Sequence, residues 1–360
     1  MKIAVAMSGG IDSSVAAALL KQEGHDVIGV TMELTDNVNN QSAIESARQA
    51  AAKLEIPHHV IDLRDIFERV IIADFCREYS LGNTPNPCVL CNRYIKFGVL
   101  REKARELGAD AFATGHYVRN EQDKNSGRHV LKKGKDRQKD QSYFLHRLKQ
   151  EQLSDTLFPI GNLTKEAVKR TATELNLPSV TRSESQEICF IPGDDYISFL
   201  KDHEATLPPA GPIIDTEGNV LGQHEGIAFY TVGQRKGLGI TSDKPLYVID
   251  IEPARNAIIV GTKAQTYSDV LIADSLNWIG GTMPEKPMKV KASIRYRHPE
   301  AEAEVSPRNE KSVYVKFTEP QMAVTPGQSV VFYEGDVVVG GGTIIRKGRH
   351  SDIIITEKSG

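Results

Sequence analysis

The residues that most constrain this chain are Ser8-Gly9-Gly10-Ile11-Asp12-Ser13, set directly after the apolar run Ile3–Met7. An apolar run, a double-glycine turn and the small-residue stretch Val15–Leu20, which stops at Gly24, spell strand, turn and helix. Gly9 and Gly10 carry no Cβ, so their backbone N–H groups can close around an anion. Ser8, Ser13 and Ser14 add hydroxyls, and Asp12 is expected to cap the helix. The positive end of that helix then faces a phosphate or pyrophosphate.

This is not a Walker A loop, because no Lys precedes its Ser. It is not a dinucleotide fingerprint either, since the third Gly is missing. The string resembles the pyrophosphate loop of ATP pyrophosphatases, which cleave ATP to AMP and pyrophosphate and so adenylate a substrate.

The first half of the chain alternates between strand-like and helical stretches. Lys2–Met7, Asp26–Met32, His58–Asp62 and Asp110–Thr114 read as strands, and Ser42–Leu54 and Asn92–Leu107 as helices. Such alternation predicts an α/β fold with a doubly wound parallel sheet, its ligand at the carboxyl ends of the strands. Residues 155–206 read as helix and loop. Leu207-Pro208-Pro209-Ala210-Gly211-Pro212 reads as a boundary, and short β runs with glycine turns follow it. The expected organisation is a catalytic domain over 1–206, a central β domain over 207–268 and a barrel-like β domain over 269–360.

No apolar run approaches membrane-spanning length, and no signal-peptide pattern opens the chain. Four cysteines in 360 residues are too few for a disulfide framework and suit a reducing cytoplasm. Cys88 and Cys91 form a Cys-x-x-Cys beside Pro85 and Pro87, at the expected start of a helix, a position that can lower a thiol pKa. Alone, that pair could be a redox pair or half of a zinc site, but no second Cys-x-x-Cys exists to complete a structural Cys₄ zinc site. Cys189 follows about a hundred residues later, and Cys76, among Ile71, Ile72 and Phe75, reads as a core residue. A net charge of −3 does not announce a nucleic-acid partner. Residues 128–149 nevertheless carry eight Lys and Arg against Asp136 and Asp140. That run is either a solvated face or a phosphate-backbone contact.

Together these segments resemble the tRNA-specific 2-thiouridylases, over essentially the whole length. The markers are Met7–Ser14, Thr84-Pro85-Asn86-Pro87, Cys91-Asn92, Lys96-Phe97, Ala113–Tyr117, Lys139–Phe144, Ile188-Cys189-Phe190, Tyr230–Gly237 and Pro326-Gly327-Gln328. The resemblance implies ATP-dependent adenylation of O2 of the wobble uridine in the tRNA anticodon stem-loop, then replacement of that oxygen by sulfur. It implies Cys189 as the persulfide carrier and Cys91 as a second catalytic cysteine able to form a disulfide with it. Ala6, Met7, Ser8, Gly9, Gly10, Ile11, Asp12 and Ser13 would hold the ATP phosphates, and Met32 and Gly115 would line the nucleotide. Mg²⁺ would shield the pyrophosphate. Asn86, Pro87 and Cys88 would form the loop that meets the target base. His116, Lys139, Asp140, Gln141, Arg295, Tyr296 and Gln328 match tRNA-contacting positions. A sulfur donor such as a cysteine desulfurase or a sulfur-relay protein is the implied partner.

From pattern alone, Lys289, Lys291, Ser293, Arg295 and Arg297 alternate, which predicts a basic strand face for RNA. Many family members have Asp where this chain has Cys88. Three cysteines could therefore converge, and three thiolates can hold a [4Fe–4S] cluster with one iron open. The persulfide and cluster chemistries both remain open at this level. Two further readings compete. Argininosuccinate, GMP and NAD synthetases share the loop but need no cysteine pair. A non-catalytic tRNA-binding redox protein would not need an intact ATP loop.

Overall fold

In the computed structural model, the described residues are 1–178, 188–191, 193, 195–203 and 207–348. They form two compact units. One comprises Met1–Ile72, Pro87–Asp195 and Gly335–Val339; the other comprises Ala73–Asn86, Tyr196–Glu334 and the chain from Gly340 on.

The first unit is built on a five-stranded parallel sheet. Its strands are β1 (Lys2–Ala6), β2 (Asp26–Glu33), β3 (His58–Asp62), β4 (Ala111–Thr114) and β7 (Thr156–Leu157), in the order β3-β2-β1-β4-β7. The centre falls to β1, whose Ile3, Ala4 and Val5 are fully buried, as a strand covered on both faces requires. Helix α1 (Ile11–Gln22) follows it and buries Val15, Ala16, Ala17 and Leu20 in a core with Ile3, Val5, Val27, Val168 and Ala172. Its alanines let the helix Lys165–Glu174 approach closely.

The α/β expectation therefore holds, with differences in detail. The helix read from Ser42 starts at Val38 as α2 (Val38–Lys53), because Asn37 caps it by accepting from the Asn40 N–H at 2.8 Å. The helix read from Asn92 starts at Pro87, a residue suited to a first turn, and is wound as a wide π-helix over Cys91–Leu100 before Arg101–Glu106. A hairpin of β5 (Val118–Gln122) and β6 (His129–Lys133) was not legible, and it absorbs part of the basic run. It is tied down by the segment Gly335–Val339. Val337 pairs with Lys132, Lys133 Nζ donates to the Gly335 carbonyl at 3.1 Å, and Arg119 forms an ion pair with Asp336.

One buried ion pair braces this unit. Arg101 is almost fully buried and donates to Asp155 through Nε at 2.7 Å and Nη2 at 2.9 Å. Arg105 also donates to Asp155 Oδ2 at 2.7 Å, so removing Arg101 leaves the carboxylate paired and costs the charge-assisted hydrogen bonds of Arg101, about 1.5–3 kcal/mol. Arg101→Met is expected to lower the urea midpoint accordingly. The conservative Arg101→Lys should also fall, because an ammonium cannot make the bidentate contact.

The second unit is all-β apart from short helices. Strands β8 (Gly211–Ile214), β9 (Val220–His224), β10 (Tyr247–Glu252) and β11 (Ala257–Gly261) form a sheet in the order β10-β11-β8-β9. Strands β12 (Tyr267–Trp278), β13 (Met288–Ser293), β14 (Ala301–Asn309), β15 (Ser312–Met322), β16 (Ser329–Glu334) and β17 (Val337–Gly348) follow in the order β12-β15-β14-β13-β16-β17. The pairing of β17 back onto β12 closes an antiparallel six-stranded barrel. Closure removes the exposed edges that an open sheet of this length would present.

Candidate active site

The turn between β1 and α1 puts Ser8–Ser13 at the carboxyl end of the central strand. Gly9 has φ +71°, the left-handed region in which a side chain would be strained. The expected cap is not formed. Gly10 is the N-cap, it provides no side-chain hydrogen bond, and Asp12 sits inside the first turn. The serines instead tie the loop to itself. Ser13 Oγ accepts from the Ser8 N–H at 3.1 Å, and the Ser13 and Ser14 hydroxyls donate to the Gly10 carbonyl at 3.1 and 3.0 Å. The helix start is thus left without a side-chain cap, as an anion site requires.

Asp12 points sideways. Its carboxylate accepts from Tyr117 Oη at 2.6 Å and from Lys165 Nζ at 2.8 and 2.9 Å. Neither partner was anticipated, since no sequence pattern signals a contact between residues 153 positions apart. Gly115 lies against the same turn: a Cβ there would stand 2.6 Å from Asp12 C and from Ser13 N. The ends of β1 and β2 are linked by Thr31, whose hydroxyl donates to the Met7 carbonyl at 2.7 Å and lies 2.8 Å from His58 Nε2. Ala6 and Met32 are half-buried at those strand ends, whereas Met7 and Ile11 are buried. The residues expected to hold ATP are therefore gathered at one end of the sheet.

All four cysteines are free thiols. Cys76 is a core residue, as expected. Cys88 lies in the first turn of the helical stretch, Cys91 begins its π-wound part, and Cys189 is the exposed one. Cys88, Cys91 and Cys189 are near enough for charge on one to disfavour charge on another. The lowered thiol pKa expected at a helix start is overturned. Burial pushes Cys91 up to about 12 and also raises Cys88 and Cys189; neighbouring thiols reinforce the shift at Cys91 and Cys189. Cys189 has direct access to water, so desolvation acts least completely there. Lys96, five residues after Cys91 in the π-wound stretch, pulls all three downward without prevailing. The residues do not fit a cluster as placed. Among the described residues no group of three His, Cys, Asp or Glu is arranged to hold a metal ion. Ser185, Gln186 and Glu187, the approach to Cys189, lie outside the described residues.

Several positions matched to tRNA contacts serve the protein's own architecture. His116 is buried, with Nδ1 2.8 Å from Thr114 Oγ1 and its ring beside Phe97 and Phe158. Desolvation holds its pKa well below the usual value, so it is neutral. Asp140 accepts from the Gly134 N–H at 2.8 Å and the Ser142 hydroxyl at 2.7 Å. Gln141 Oε1 accepts from the Tyr117 N–H at 3.0 Å. Of the basic run, Lys133 and Arg147 are buried and Lys132 pairs with Glu121 at 2.6 Å. Lys135 and Arg137 are exposed, and Lys139 is half-buried.

In the second unit, Gln328 Nε2 donates to the carbonyls of Thr84 and Pro85 at 2.9 and 3.2 Å, so it holds the proline loop that leads into Asn86. Gly327, at φ +91°, touches Thr84 so closely that a Cβ would stand 2.8 Å from its backbone. Arg295 donates to the Met322 carbonyl at 3.1 Å, and Tyr296 lies under the Arg297 guanidinium. The expected basic strand face is corrected by register. Lys289 and Lys291 of β13 stand opposite Glu304 and Glu302 of β14, and Ser293 is buried. Glu302 lies 3.6 Å from Lys291, and Arg295 and Arg297 fall beyond the end of β13 at Ser293, so the five residues do not form one strand face.

Three domain descriptions match in sequence order. They are a tRNA methyl transferase HUP domain over residues 1–193, a tRNA methyl transferase PRC-barrel domain over 197–262 and an aminomethyltransferase beta-barrel domain over 268–344. The chain is 50% identical to tRNA-specific 2-thiouridylase MnmA 1 of Caldanaerobacter subterraneus subsp. tengcongensis, covering 97% of this chain and 99% of that one. It is 50% identical to tRNA-specific 2-thiouridylase MnmA 2 of a Thermoanaerobacter species, covering 96% and 98%. Identity to tRNA-specific 2-thiouridylase MnmA of Geotalea uraniireducens is 49%, with 95% and 94% covered. A solved structure, the U34-tRNA thiolase NcsA from Methanococcus maripaludis with its [4Fe-4S] cluster, is 20% identical with a TM-score of 0.34 over 49% of this chain and 58% of that one. That likeness is too distant to bear on chemistry.

Proposed function

This chain belongs to the tRNA-specific 2-thiouridylases, and from that premise we propose how its own residues carry out the reaction. The protein is a sulfurtransferase that uses ATP to convert a uridine of tRNA to 2-thiouridine. The observation that carries the residue-level reading is one compact unit holding both an uncapped glycine loop and three neighbouring thiols.

In this reading the triphosphate lies on the Ser8–Ser13 turn, with the nucleotide near Met32 and Gly115. Mg²⁺ offsets the charge of the departing pyrophosphate. O2 of the wobble uridine attacks the α-phosphorus, pyrophosphate leaves, and C2 becomes bonded to an adenylate leaving group. A persulfide on Cys189 attacks C2 with its outer sulfur; the C2–O bond breaks and AMP departs with the oxygen. Cys91 then attacks the Cys189 sulfur. The S–S bond breaks with its electron pair on the new thiouridine sulfur, leaving a Cys91–Cys189 disulfide. A dithiol reductant resets the pair, and a sulfur donor of the cysteine desulfurase or sulfur-relay class reloads Cys189. A persulfide is more acidic than its parent thiol, which favours the anionic outer sulfur that attacks C2, and Cys91 gives up its proton as it attacks the Cys189 sulfur. Asn86, Pro87 and Cys88 flank the base, which must be unstacked to arrive there.

The test is nucleoside mass spectrometry of tRNA after incubation with ATP, a sulfane-sulfur donor such as a cysteine desulfurase with cysteine, and a dithiol reductant. The mass of 2-thiouridine must appear only with ATP, and an ATP-independent product would refute adenylation.

We also propose the boundaries 1–206, 207–268 and 269–360, supported by the change of sheet between β11 and β12. For tRNA, the exposed Lys135 and Arg137, together with Lys139, are the candidates for phosphate contact. Replacing all three with Gln is expected to weaken tRNA binding and to reduce the magnitude of the slope of log K against log salt by about 2–3 units. An unchanged slope in filter-binding titrations would return the segment to a solvated surface. Lys132 and Lys133 are unsuitable for this test, because one is paired and the other buried. The reaction is assigned to the cytoplasm, where thiols stay reduced and tRNA is at hand. No helix among the described residues is long and apolar enough to cross a membrane.

A further inference from the structure

The phosphate loop contains a contradiction. It is shaped for a polyanion, yet it carries the carboxylate of Asp12 in the first turn of α1. An aspartate so close to a triphosphate would oppose binding by Coulomb repulsion, and more strongly in a partly buried site than in water. The loop also lacks the lysine by which a Walker loop adds positive charge.

Lys165 resolves the contradiction. It is the first residue of the helix Lys165–Glu174, capped by Thr164, and its side chain is 5% exposed. Its backbone N–H donates to Asp136 Oδ2 at 2.9 Å, which fixes where the side chain departs. Nζ meets both carboxylate oxygens of Asp12, at 2.8 and 2.9 Å. Tyr117 donates its hydroxyl to Oδ1 at 2.6 Å, and Nζ stands 5.8 Å from the centre of that ring. Burying an ammonium is costly unless it is paired, so this placement persists because Asp12 is there.

We propose that Lys165 is the charge-compensating residue of the ATP loop: it cancels Asp12 and so makes the Ser8–Ser13 turn receptive to the triphosphate. It acts through Asp12 and is therefore a positioning residue. The inference rests on ATP occupying this loop, and it assigns to one distant helix the task of neutralising it.

The experiment measures Mg·ATP affinity by calorimetry on the full chain, with tRNA affinity and thermal midpoint as controls. Lys165→Met is expected to weaken ATP by about tenfold or more, while leaving tRNA affinity within about twofold. Lys165→Arg should stay within about threefold of the unaltered protein, since the charge is kept. Adding Asp12→Asn to Lys165→Met should recover part of the lost affinity, because no unpaired carboxylate then faces the triphosphate. The double variant leaves no lone charge buried, so it stays informative even if Lys165→Met alone fails to fold. Equal ATP affinity for Lys165→Met and the unaltered protein would overturn the proposal, as would a double variant no better than the single one. The underlying loop assignment fails separately: a Gly115→Ala chain that binds ATP normally would show that the nucleotide lies elsewhere.

Discussion

Cys189→Ser and Cys91→Ser are each expected to reduce thiolation by about 10³-fold or more, while a single turnover of tRNA-dependent pyrophosphate release survives. The two steps separate because the thiols do not belong to the phosphate turn. A serine at position 189 cannot carry sulfane sulfur, and a serine at position 91 cannot resolve the mixed adduct. Adenylated tRNA should therefore accumulate in the first variant, and tRNA held on the Cys189 sulfur in the second. Cys88→Asp should keep substantial activity, because in this route Cys88 neither carries the persulfide nor resolves it. A brown, iron-containing protein whose Cys88 variant is as inactive as the Cys91 variant would overturn the persulfide route. The thiols also predict a pH signature. Because burial pushes Cys91 up to about 12, its thiolate fraction grows about tenfold per pH unit below that value. Iodoacetamide modification of Cys91, followed by peptide mass spectrometry, should therefore climb from about pH 7 to about pH 9 without a plateau. A plateau near neutral pH would mean an activated resting thiol.

Gly115→Ala is expected to raise the KM for ATP by about 100-fold, or to abolish adenylation, with little change in tRNA affinity. The added Cβ would stand 2.6 Å from Asp12 C and Ser13 N and 2.8 Å from Asp12 O. These are backbone atoms of a packed helix start, so they cannot yield as a flexible side chain would. The turn must shift, and misplacing a phosphate cradle by about 1 Å costs about 10² in rate. Gly98→Ala is the control. Its Cβ meets only the Arg93 carbonyl, at 3.2 Å, and it lies outside the ATP loop. If Gly115→Ala kept the ATP KM of the unaltered protein, the turn would not be the triphosphate site.

Much of this was legible without coordinates, for reasons that are local. Ser8–Ser13 is readable because a strand, a glycine turn and a helix start are all written within one segment. The alternating first half is readable because burial on both sheet faces demands apolar runs such as Ile3–Val5, and periodicity exposes the helices between them. The cysteine motif and the wobble-uridine chemistry came through resemblance carried by short strings in order, and identity of 50% over nearly the whole chain agrees with the family.

The rest was decided by partners that no local string specifies. Asp12 looks like a helix cap, yet Lys165 and Tyr117 draw it away, and only folding brings residue 165 to residue 12. Cys91 looks like an activated thiol beside a helix start, but the surrounding protein desolvates it, and burial outweighs the pull of Lys96. Lys289 and Lys291 look like a track for RNA, but their register places Glu304 and Glu302 opposite them. Asp140, Gln141 and Gln328 use their hydrogen bonds to hold loops together. The sequence by itself determined the elements and the chemical groups available. Tertiary structure decided which charges are cancelled, which thiols are kept protonated and which polar side chains remain for a substrate, because each depends on solvent exclusion and on neighbours far away along the chain.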